Sequence, residues 1–150
     1  MKIAVIEDEK PIREGLVHIL NKISPEYQVV GSAENGAEGL ILLEEEMPDL
    51  IMLDIQMPDM DGLQMLKEAR ARGIYTKVII LTAYSDFSYA KKAIELGIEN
   101  YLLKPVNLIE LKKTLEKIKE ELFVEQRGKN SLSLAMISVR YPSCTMKKSG

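Results

Sequence analysis

Short apolar stretches alternate along the chain with longer amphipathic stretches. The apolar stretches lie near residues 2–7, 28–33, 50–54, 77–82 and 100–104. Most of them lack polar alternation, which is typical of strands that are covered on both faces. The alternation therefore predicts an α/β fold, in which a parallel sheet is connected by right-handed crossovers and carries helices on both faces.

The amphipathic stretches predict helices over about 11–21, 37–46, 63–72 and 86–96, followed by a last helix that begins near Asn107. Pro11 suits an early helical position, and Gly73 and Gly97 are natural C-caps for the third and fourth helices. The last helix opens with a capping-box pattern of Asn107 and Glu110. Its apolar seam, at spacings of three and four, is formed by Leu108, Leu111, Leu115, Ile118 and Leu122. We expect Gly128 to end this helix.

The residues after about 124 differ in character from the rest. Residues 131–139 could pair as a strand, and a polar, basic end follows them. We interpret 125–150 as a weakly anchored C-terminal tail or the remnant of a linker. The predicted organisation is one domain over 1–124, which is large enough to bury a core, followed by this tail.

Composition excludes several classes of protein. A net charge of −3 argues against a broad nucleic-acid surface. Cys144 is the only cysteine, which excludes an internal disulfide framework and a Cys-rich zinc site, and His18 is the only histidine, which excludes a multi-histidine metal site. His18 lies off the apolar stripe of the first helix and should be solvated. No leader or apolar run of transmembrane length is present, which predicts a cytoplasmic location without membrane contact.

Polar residues end four of the predicted strands. Glu7 and Asp8 end the first strand, Asp54 the third, Thr82 the fourth and Lys104 the fifth. The carboxyl ends of parallel strands meet at one edge of the sheet, where open α/β sheets place their chemistry. If the strands are neighbours, we expect these five side chains to converge.

Converging carboxylates repel one another unless positive charge separates them. Mg²⁺ prefers oxygen ligands and needs only one or two carboxylates from the protein. With that ion present, Asp54 could act as a nucleophile and form an acyl phosphate. Thr82 could donate a hydrogen bond to a phosphoryl oxygen, and Lys104 could supply positive charge. The set therefore predicts a site for phosphoryl transfer.

Each of these residues also has a purely structural explanation when it is taken alone. Asp54 and the Glu7-Asp8 pair could be turn residues or helix caps. Thr82 could be an ordinary strand-end threonine, and Lys104 a solvated lysine. The order of the set, with every member at a strand end, favours the functional interpretation.

These motifs resemble the receiver domains of bacterial two-component response regulators. The matching stretches are Ile6-Glu7-Asp8-Glu9, Leu53 to Gly62, Leu81-Thr82-Ala83 and Tyr101 to Pro105. The resemblance covers residues 1 to about 124. It implies a flavodoxin-like (βα)5 doubly wound parallel sheet with strand order 2-1-3-4-5.

The resemblance also implies roles for individual residues. Asp54 would accept a phosphoryl group from a sensor histidine kinase, and Mg²⁺ would be bound by Asp8, Asp54 and the backbone carbonyl of Gln56. Glu7, where many members carry Asp, would act through a metal-bound water.

Three further roles follow from the same resemblance. Thr82 and Lys104 would grip the phosphoryl group, Tyr101 would follow Thr82 as a switch residue, and the peptide bond before Pro105 would be cis. The switch would change the face of the fourth helix, fifth strand and fifth helix. Such a domain is a phosphoacceptor that catalyses at most its own phosphotransfer and dephosphorylation.

A narrower resemblance concerns the output. Thr82 to Phe87, Tyr89-Ala90 and Tyr101 to Val106 are similar to receivers fused to AraC-type helix-turn-helix domains, which implies regulation of transcription. DNA would be contacted only through an output domain that this chain does not contain. We also expect a homodimer that depends on phosphorylation.

Three other classes of protein fit the sequence less well. A phosphatase with an aspartyl-phosphate intermediate typically needs a second acid two residues after the nucleophile, where this chain has Gln56. A flavin-binding domain would need a phosphate-cradling loop, whereas Glu7, Asp8 and Glu9 would repel phosphate. An interaction module that is never phosphorylated would have no use for the complete set of site residues.

Overall fold

The computed structural model describes residues 1–83, 87–98 and 100–140, and their side chains except at 87, 89, 90 and 129–140. Strands and helices alternate through these residues. In chain order they are β1 (Lys2–Ile6), α1 (Lys10–Ile23), β2 (Gln28–Ala33), α2 (Gly36–Glu46), β3 (Leu50–Asp54), α3 (Gly62–Ala71), β4 (Lys77–Thr82), α4 (Phe87–Glu95), β5 (Asn100–Leu103) and α5 (Leu108–Arg140).

The strands form one parallel sheet in the order β2-β1-β3-β4-β5. The pairing register places Asp54 opposite Leu81, and Thr82 opposite Leu103. Strands β1 and β3 are neighbours, so the acids that follow β1 and the acid that ends β3 reach the same edge. The predicted α/β fold and strand order are confirmed.

Burial differs between the inner and the outer strands. Every residue of β3 is buried, whereas β2 and β5, at the two edges of the sheet, are partly exposed. An edge strand has a neighbour on one side only, so its side chains meet fewer packing partners. Cover on both faces, which the apolar pattern predicted for most strands, therefore holds for the inner strands.

The main core cluster lies on one face of the sheet. Alternate residues of the inner strands, such as Ile6, Leu53 and Ile80, pack there with Leu40 of α2 and Leu66 of α3. The intervening strand residues are buried as well, so the opposite face is also covered: Ile3, Val5, Leu50, Met52, Ile79 and Leu81. This burial supplies most of the driving force for folding.

The chain divides into two compact units, Met1–Lys112 and Lys113–Gly150. The first unit contains the whole sheet, helices α1 to α4 and the first turn of α5. In the second unit, Leu115 and Ile118 of the predicted seam are buried. The division falls within α5, and the domain boundary predicted at residue 124 stays a prediction.

Helix α5 does not end where the sequence pattern predicted. It is 33 residues long and continues through Gly128 to Arg140, so the predicted stop at Gly128 is wrong. The alternative of a strand over 131–139 is wrong for the same reason. A glycine within a helix costs only about 1 kcal/mol relative to alanine, which neighbouring helix formers can offset. Gly73 and Gly97, by contrast, adopt φ of +80° and end their helices as predicted.

Helix α3 begins with a complete capping box. The Asp61 side chain accepts a hydrogen bond from the Gln64 amide at 2.8 Å, and the Gln64 side chain accepts one from the Asp61 amide at 3.0 Å. Two backbone N–H groups that a helix start leaves unpaired are thereby satisfied. The box fixes the end of the loop that follows Asp54.

We expect Asp61→Ala to lower the free energy of unfolding by about 1 kcal/mol, because the cap acceptor is lost. Urea denaturation measures this change, and the dependence of the unfolding free energy on urea concentration should be the same for both variants. Asp61→Ser is the matched control, since its hydroxyl can still accept the bond. Equal stability of the two variants would contradict a stabilising role for the cap.

Candidate functional site

Acidic side chains converge at the carboxyl edge of the sheet. Glu7 and Asp8 directly follow β1, and Asp54 ends the neighbouring strand β3. Glu7 is 0% exposed and Asp54 is 4% exposed. Buried carboxylates require compensation by charge or hydrogen bonds, because burial removes their hydration.

Lys104 provides part of this compensation. Its Nζ lies 2.8 Å from Oε1 of Glu7 and 3.4 Å from Oδ2 of Asp54. The lysine follows β5, whose neighbour β4 lies between it and β3, so a long side chain is needed to reach both acids. The sequence placed Lys104 in the site, but its closer contact with Glu7 was not predicted.

The surroundings of Asp54 strongly favour its neutral form in the absence of a cation. Burial, followed by a hydrogen bond with Glu7 and the negative charge of Glu7, raises the pKa of Asp54 to about 8, although Lys104 acts in the opposite direction. The Gln56 amide donates to Oδ1 of Asp54 at 3.2 Å. Burial alone would lower the pKa of Lys104, but its bond to Glu7 and the attraction of Asp54 raise that pKa above its usual value.

The oxygens around this cluster suit a hard divalent cation. In the part of the chain that the structure describes, the buried Oε2 of Glu7 and Oδ1 of Asp8 have no hydrogen-bond partner. Carboxylate oxygens of Glu7, Asp8 and Glu9 all lie within 4.8 Å of one another. Unpaired acceptors of like charge in such proximity are compatible with a shared cation.

The other predicted site residues lie around the same edge. Thr82 is 7% exposed and ends β4, and its carbonyl accepts a hydrogen bond from the Lys104 amide at 2.7 Å. Tyr101 of β5 is 49% exposed, so its side chain is directed away from the core. The Lys104–Pro105 peptide bond is cis.

The loop after Asp54 passes very close to the backbone of Asp54. The Gly62 amide donates to the Ile55 carbonyl at 2.9 Å. A Cβ at position 62 would collide with the carbonyl oxygen of Asp54, so only glycine permits this approach. The motif included Gly62, but the steric reason is visible only in the fold.

Arg13 of α1 contacts the acidic loop, which the sequence pattern did not predict. Nη1 of Arg13 donates to the backbone carbonyls of Glu7 at 2.8 Å and Asp8 at 3.4 Å. The available signal was an arginine in the first turns of the helix that follows two acids. Arginine there can reach back to the carbonyls of the preceding loop.

A groove beside the site was also missed. It has a volume of about 510 Å³ and includes Asp54 and Lys104 at its polar end. Its remaining lining is largely apolar and comes mainly from α1 and the loop after β5: Glu9, Ile12, Gly15, Leu16, Ile19, Gln56, Ala83, Pro105 and Val106. The acids alone gave no indication that α1 borders the site.

A comparison with protein families settles the class of the domain. The family described as "Response regulator receiver domain" matches residues 3–116. The chain belongs to this family. The resemblance seen in the motifs is therefore confirmed, and receiver domains are phosphoacceptor signalling domains rather than conventional enzymes.

Among curated proteins, this receiver is 35% identical over 121 residues to the uncharacterized transcriptional regulatory protein YesN of Bacillus subtilis, covering 81% of this chain and 33% of YesN. It is 35% identical over 134 residues to the transcriptional regulatory protein HptR of Staphylococcus aureus, covering 89% of this chain and 52% of HptR. The chain thus spans between a third and about half the length of these relatives.

Two solved structures have the same fold. The REC domain of AraT, a response regulator from Geobacillus stearothermophilus, is 39% identical with a TM-score of 0.74, covering 83% of this chain and 97% of that one. The N-terminal domain of WS1339 from Wolinella succinogenes is 37% identical with a TM-score of 0.73, covering 83% and 98%. Among the described residues, no helix is both long and apolar enough to cross a bilayer.

The raised pKa of Asp54 predicts a pH-dependent stability in the absence of divalent cations. The fold favours the neutral carboxyl of Asp54. Its contribution to the free energy of unfolding is therefore fully present below the unfolded-state pKa of 3.8 and is lost as pH rises through the folded-state pKa of about 8. The slope has a limit of about 1.4 kcal/mol per pH unit. Asp54→Asn cannot titrate, so its stability relative to the wild type should increase over this range.

Urea denaturation in EDTA, at several pH values between about 5 and 8, measures this difference in unfolding free energy. The comparison of wild type with Asp54→Asn at each pH is internally controlled, since both proteins carry the same other titrating residues. A difference that stays constant across the range would contradict the raised pKa.

Proposed function

We propose that this receiver accepts a phosphoryl group on Asp54 from a sensor histidine kinase, with Mg²⁺ bound by the adjacent acids, and that phosphorylation controls transcription. The observation that supports this most directly is the meeting of Asp54 with Glu7, Asp8 and Lys104 at one edge of the sheet. That arrangement combines a nucleophile, a candidate cation site and a fixed positive charge.

Exposure distinguishes the acceptor from its neighbours. Glu7 is fully buried and its Oε1 is held by Lys104 at 2.8 Å, so an incoming donor could hardly reach it. Asp54, although only 4% exposed, lines the groove. Of the two acids that pair with Lys104, Asp54 is therefore the one that a phosphodonor can approach.

The site residues fit Mg²⁺ through their oxygens. Asp8, Asp54 and the backbone carbonyl of Gln56 would hold the ion, and Glu7 would contact it through a water. When bound, Mg²⁺ would offset the mutual repulsion of the acids, keep Asp54 ionised and neutralise charge on the phosphoryl oxygens. The unpaired oxygens of Glu7 and Asp8 support this proposal.

Transfer then requires little movement of the protein. An Asp54 carboxylate oxygen attacks phosphorus while the phosphorus–nitrogen bond of a phosphohistidine breaks, and the imidazole leaves. Lys104, with Nζ already 3.4 Å from Oδ2 of Asp54, is placed to bond a phosphoryl oxygen. Thr82, at the end of β4, would bond a second oxygen, and Tyr101 would follow it inward.

The groove supports a protein as the phosphodonor. Apolar side chains such as Ile12, Ile19 and Val106 line it, and its polar end reaches Asp54. A small phosphodonor needs only the polar end, whereas a partner helix carrying a phosphohistidine could also cover the apolar wall. The apolar lining thus favours delivery by a kinase.

Control of transcription rests on the relatives. Both named relatives are transcriptional regulatory proteins that are longer than this chain. We propose that DNA is contacted through an output domain in a longer protein of this kind. The AraC-type output, the output face of α4, β5 and α5, and the cytoplasmic location stay predictions.

Exposed apolar side chains of the first unit support dimerisation on phosphorylation. Ile94 of α4 is 71% exposed, and Tyr101 and Leu103 of the edge strand β5 are 49% and 47% exposed. In the second unit, α5 presents an exposed mixture of lysine and glutamate, including Lys113, Glu116, Lys117, Lys119 and Glu120. Exposed apolar side chains on one unit and a mixed-charge surface on the other each suit specific pairing of identical chains.

We expect the wild type to gain the mass of a single phosphoryl group when it is incubated with acetyl phosphate and Mg²⁺. Asp54→Asn should gain none, because it keeps the shape of the side chain but lacks the nucleophile. Intact mass spectrometry measures both. Labelling of Asp54→Asn would contradict the assigned acceptor, and labelling of the wild type in EDTA would contradict the role of the cation.

We expect beryllofluoride with Mg²⁺ to shift the wild type from monomer to dimer in analytical sedimentation, in moderate salt more than in high salt. The shift needs a few kcal/mol of differential binding, which new bonds to Thr82 and Lys104 could supply. Ile94→Ser should weaken this dimer, although acetyl phosphate should still phosphorylate Asp54 in the variant. A wild type that stays monomeric in every condition would remove dimerisation from the proposal.

A further inference from the structure

Arg13 binds the backbone of the acidic loop rather than an acidic side chain. It lies in the first turns of α1, is half-buried, and its Nη1 donates to the carbonyl oxygens of both Glu7 and Asp8. The distances are 2.8 Å to Glu7 and 3.4 Å to Asp8. One guanidinium therefore links α1 to the two consecutive residues that carry the acids.

The carboxylates of Glu7 and Asp8 are only partly restrained by their own bonds. In the described residues, Oε2 of Glu7 and Oδ1 of Asp8 have no hydrogen-bond partner, and Asp8 has no ion pair in the set around Lys104. On the other side of this loop, the Glu7 amide donates to the Ala33 carbonyl of β2 at 3.0 Å. The position of the Asp8 carboxylate consequently depends on its hydrogen bond with Asp54 and on the backbone that Arg13 holds.

We infer that Arg13 is a positioning residue for the divalent cation: by binding the carbonyls of Glu7 and Asp8, its guanidinium fixes the loop in the geometry that the cation requires. This inference rests on the proposed function. Arg13 touches neither the cation nor the phosphoryl group, and acts only through the residues that do. Partners of this kind, which orient the groups around a metal, commonly change its affinity by about 10–100-fold when they are lost.

The sign of the effect separates positioning from simple charge. Arg13 is a cation near a cation site, so if it acted by charge alone, its removal would strengthen Mg²⁺ binding. If it holds the loop, its removal weakens binding, because the acids must then be ordered at the cost of binding energy. Positioning and charge predict opposite changes.

The chain contains a matched control in Arg70. This arginine is also half-buried, and it also donates to two backbone carbonyls, Ile74 at 2.8 Å and Thr76 at 3.1 Å. Those carbonyls precede β4, at the opposite edge of the sheet from Asp54. Arg70→Met therefore removes the same type of bond without touching the acidic loop.

The test is a Mg²⁺ titration of the full chain, in which the melting temperature is measured by circular dichroism at each Mg²⁺ concentration. The proteins compared are the wild type, Arg13→Met, Arg13→Lys and Arg70→Met. We expect the half-saturating Mg²⁺ concentration to rise about tenfold in Arg13→Met. Arg13→Lys should recover part of the loss, since its ammonium can still donate to a carbonyl. Arg70→Met should melt at a lower temperature with unchanged half-saturation.

A parallel measurement follows phosphorylation by acetyl phosphate with intact mass, over the same Mg²⁺ range. In Arg13→Met the half-saturating concentration should rise while the rate at saturating Mg²⁺ stays near that of the wild type. A purely structural role would not produce this split between affinity and maximal rate.

Two results would overturn the inference: unchanged or tighter Mg²⁺ binding in Arg13→Met, or an equal loss of affinity in Arg70→Met. The wild type tests the proposed function separately. If it binds Mg²⁺ but gains no phosphoryl group, the proposed function fails, and the binding titration alone still decides the role of Arg13. A wild type that does not respond to Mg²⁺ overturns both.

Discussion

The site depends on the compensation of several buried carboxylates by one lysine. Glu7 and Asp54 are almost fully removed from water, and the Lys104 ammonium is shared between them at 2.8 Å and 3.4 Å. One positive charge cannot balance two or more buried negative charges, so the remaining imbalance is relieved by keeping Asp54 neutral, which its raised pKa expresses. A divalent cation would relieve the same imbalance and leave Asp54 ionised. The charge imbalance of the folded protein is therefore compatible with a bound cation.

The glutamate at position 7 gives this receiver a particular resting state. Its longer side chain reaches Lys104 from a fully buried position, closer than Asp54 does. Any group that recruits Lys104 must compete with this contact, and buried pairs are costly to break because one charge is left without a partner. Lys104 lies between the two acids, however, so a small rotation transfers its hydrogen bond. In the proposed function, the lysine would stabilise the resting site and still be available to an incoming phosphoryl oxygen.

The apolar pattern was sufficient to predict the fold, and the polar strand ends were sufficient to predict which residues lie at one edge of the sheet. Uninterrupted apolar runs such as Leu50 to Leu53 are typical of strands in a sheet that is covered on both faces, and polar residues end four of the five strands. In a parallel sheet those ends meet at one edge, so Glu7, Asp54 and Lys104 could be grouped before any coordinates were known. Local signals also sufficed for the glycine caps, because Gly73 and Gly97 adopt a φ that other residues avoid.

The contacts between the members of the site follow from the tertiary structure, because they join residues far apart in the chain. Three such contacts are the ion pair of Lys104 with Glu7, the close approach of Gly62 to the Asp54 carbonyl and the hydrogen bonds of Arg13 to the acidic loop. Each depends on how the elements pack, which hydrophobic periodicity does not report. The end of α5 shows the same limitation locally. Gly128 carries a modest intrinsic penalty, which neighbouring helix formers overcome, so the helix continues to Arg140. The helix propensity of one residue influences where a helix ends, but the sum of the interactions along the whole helix determines that end.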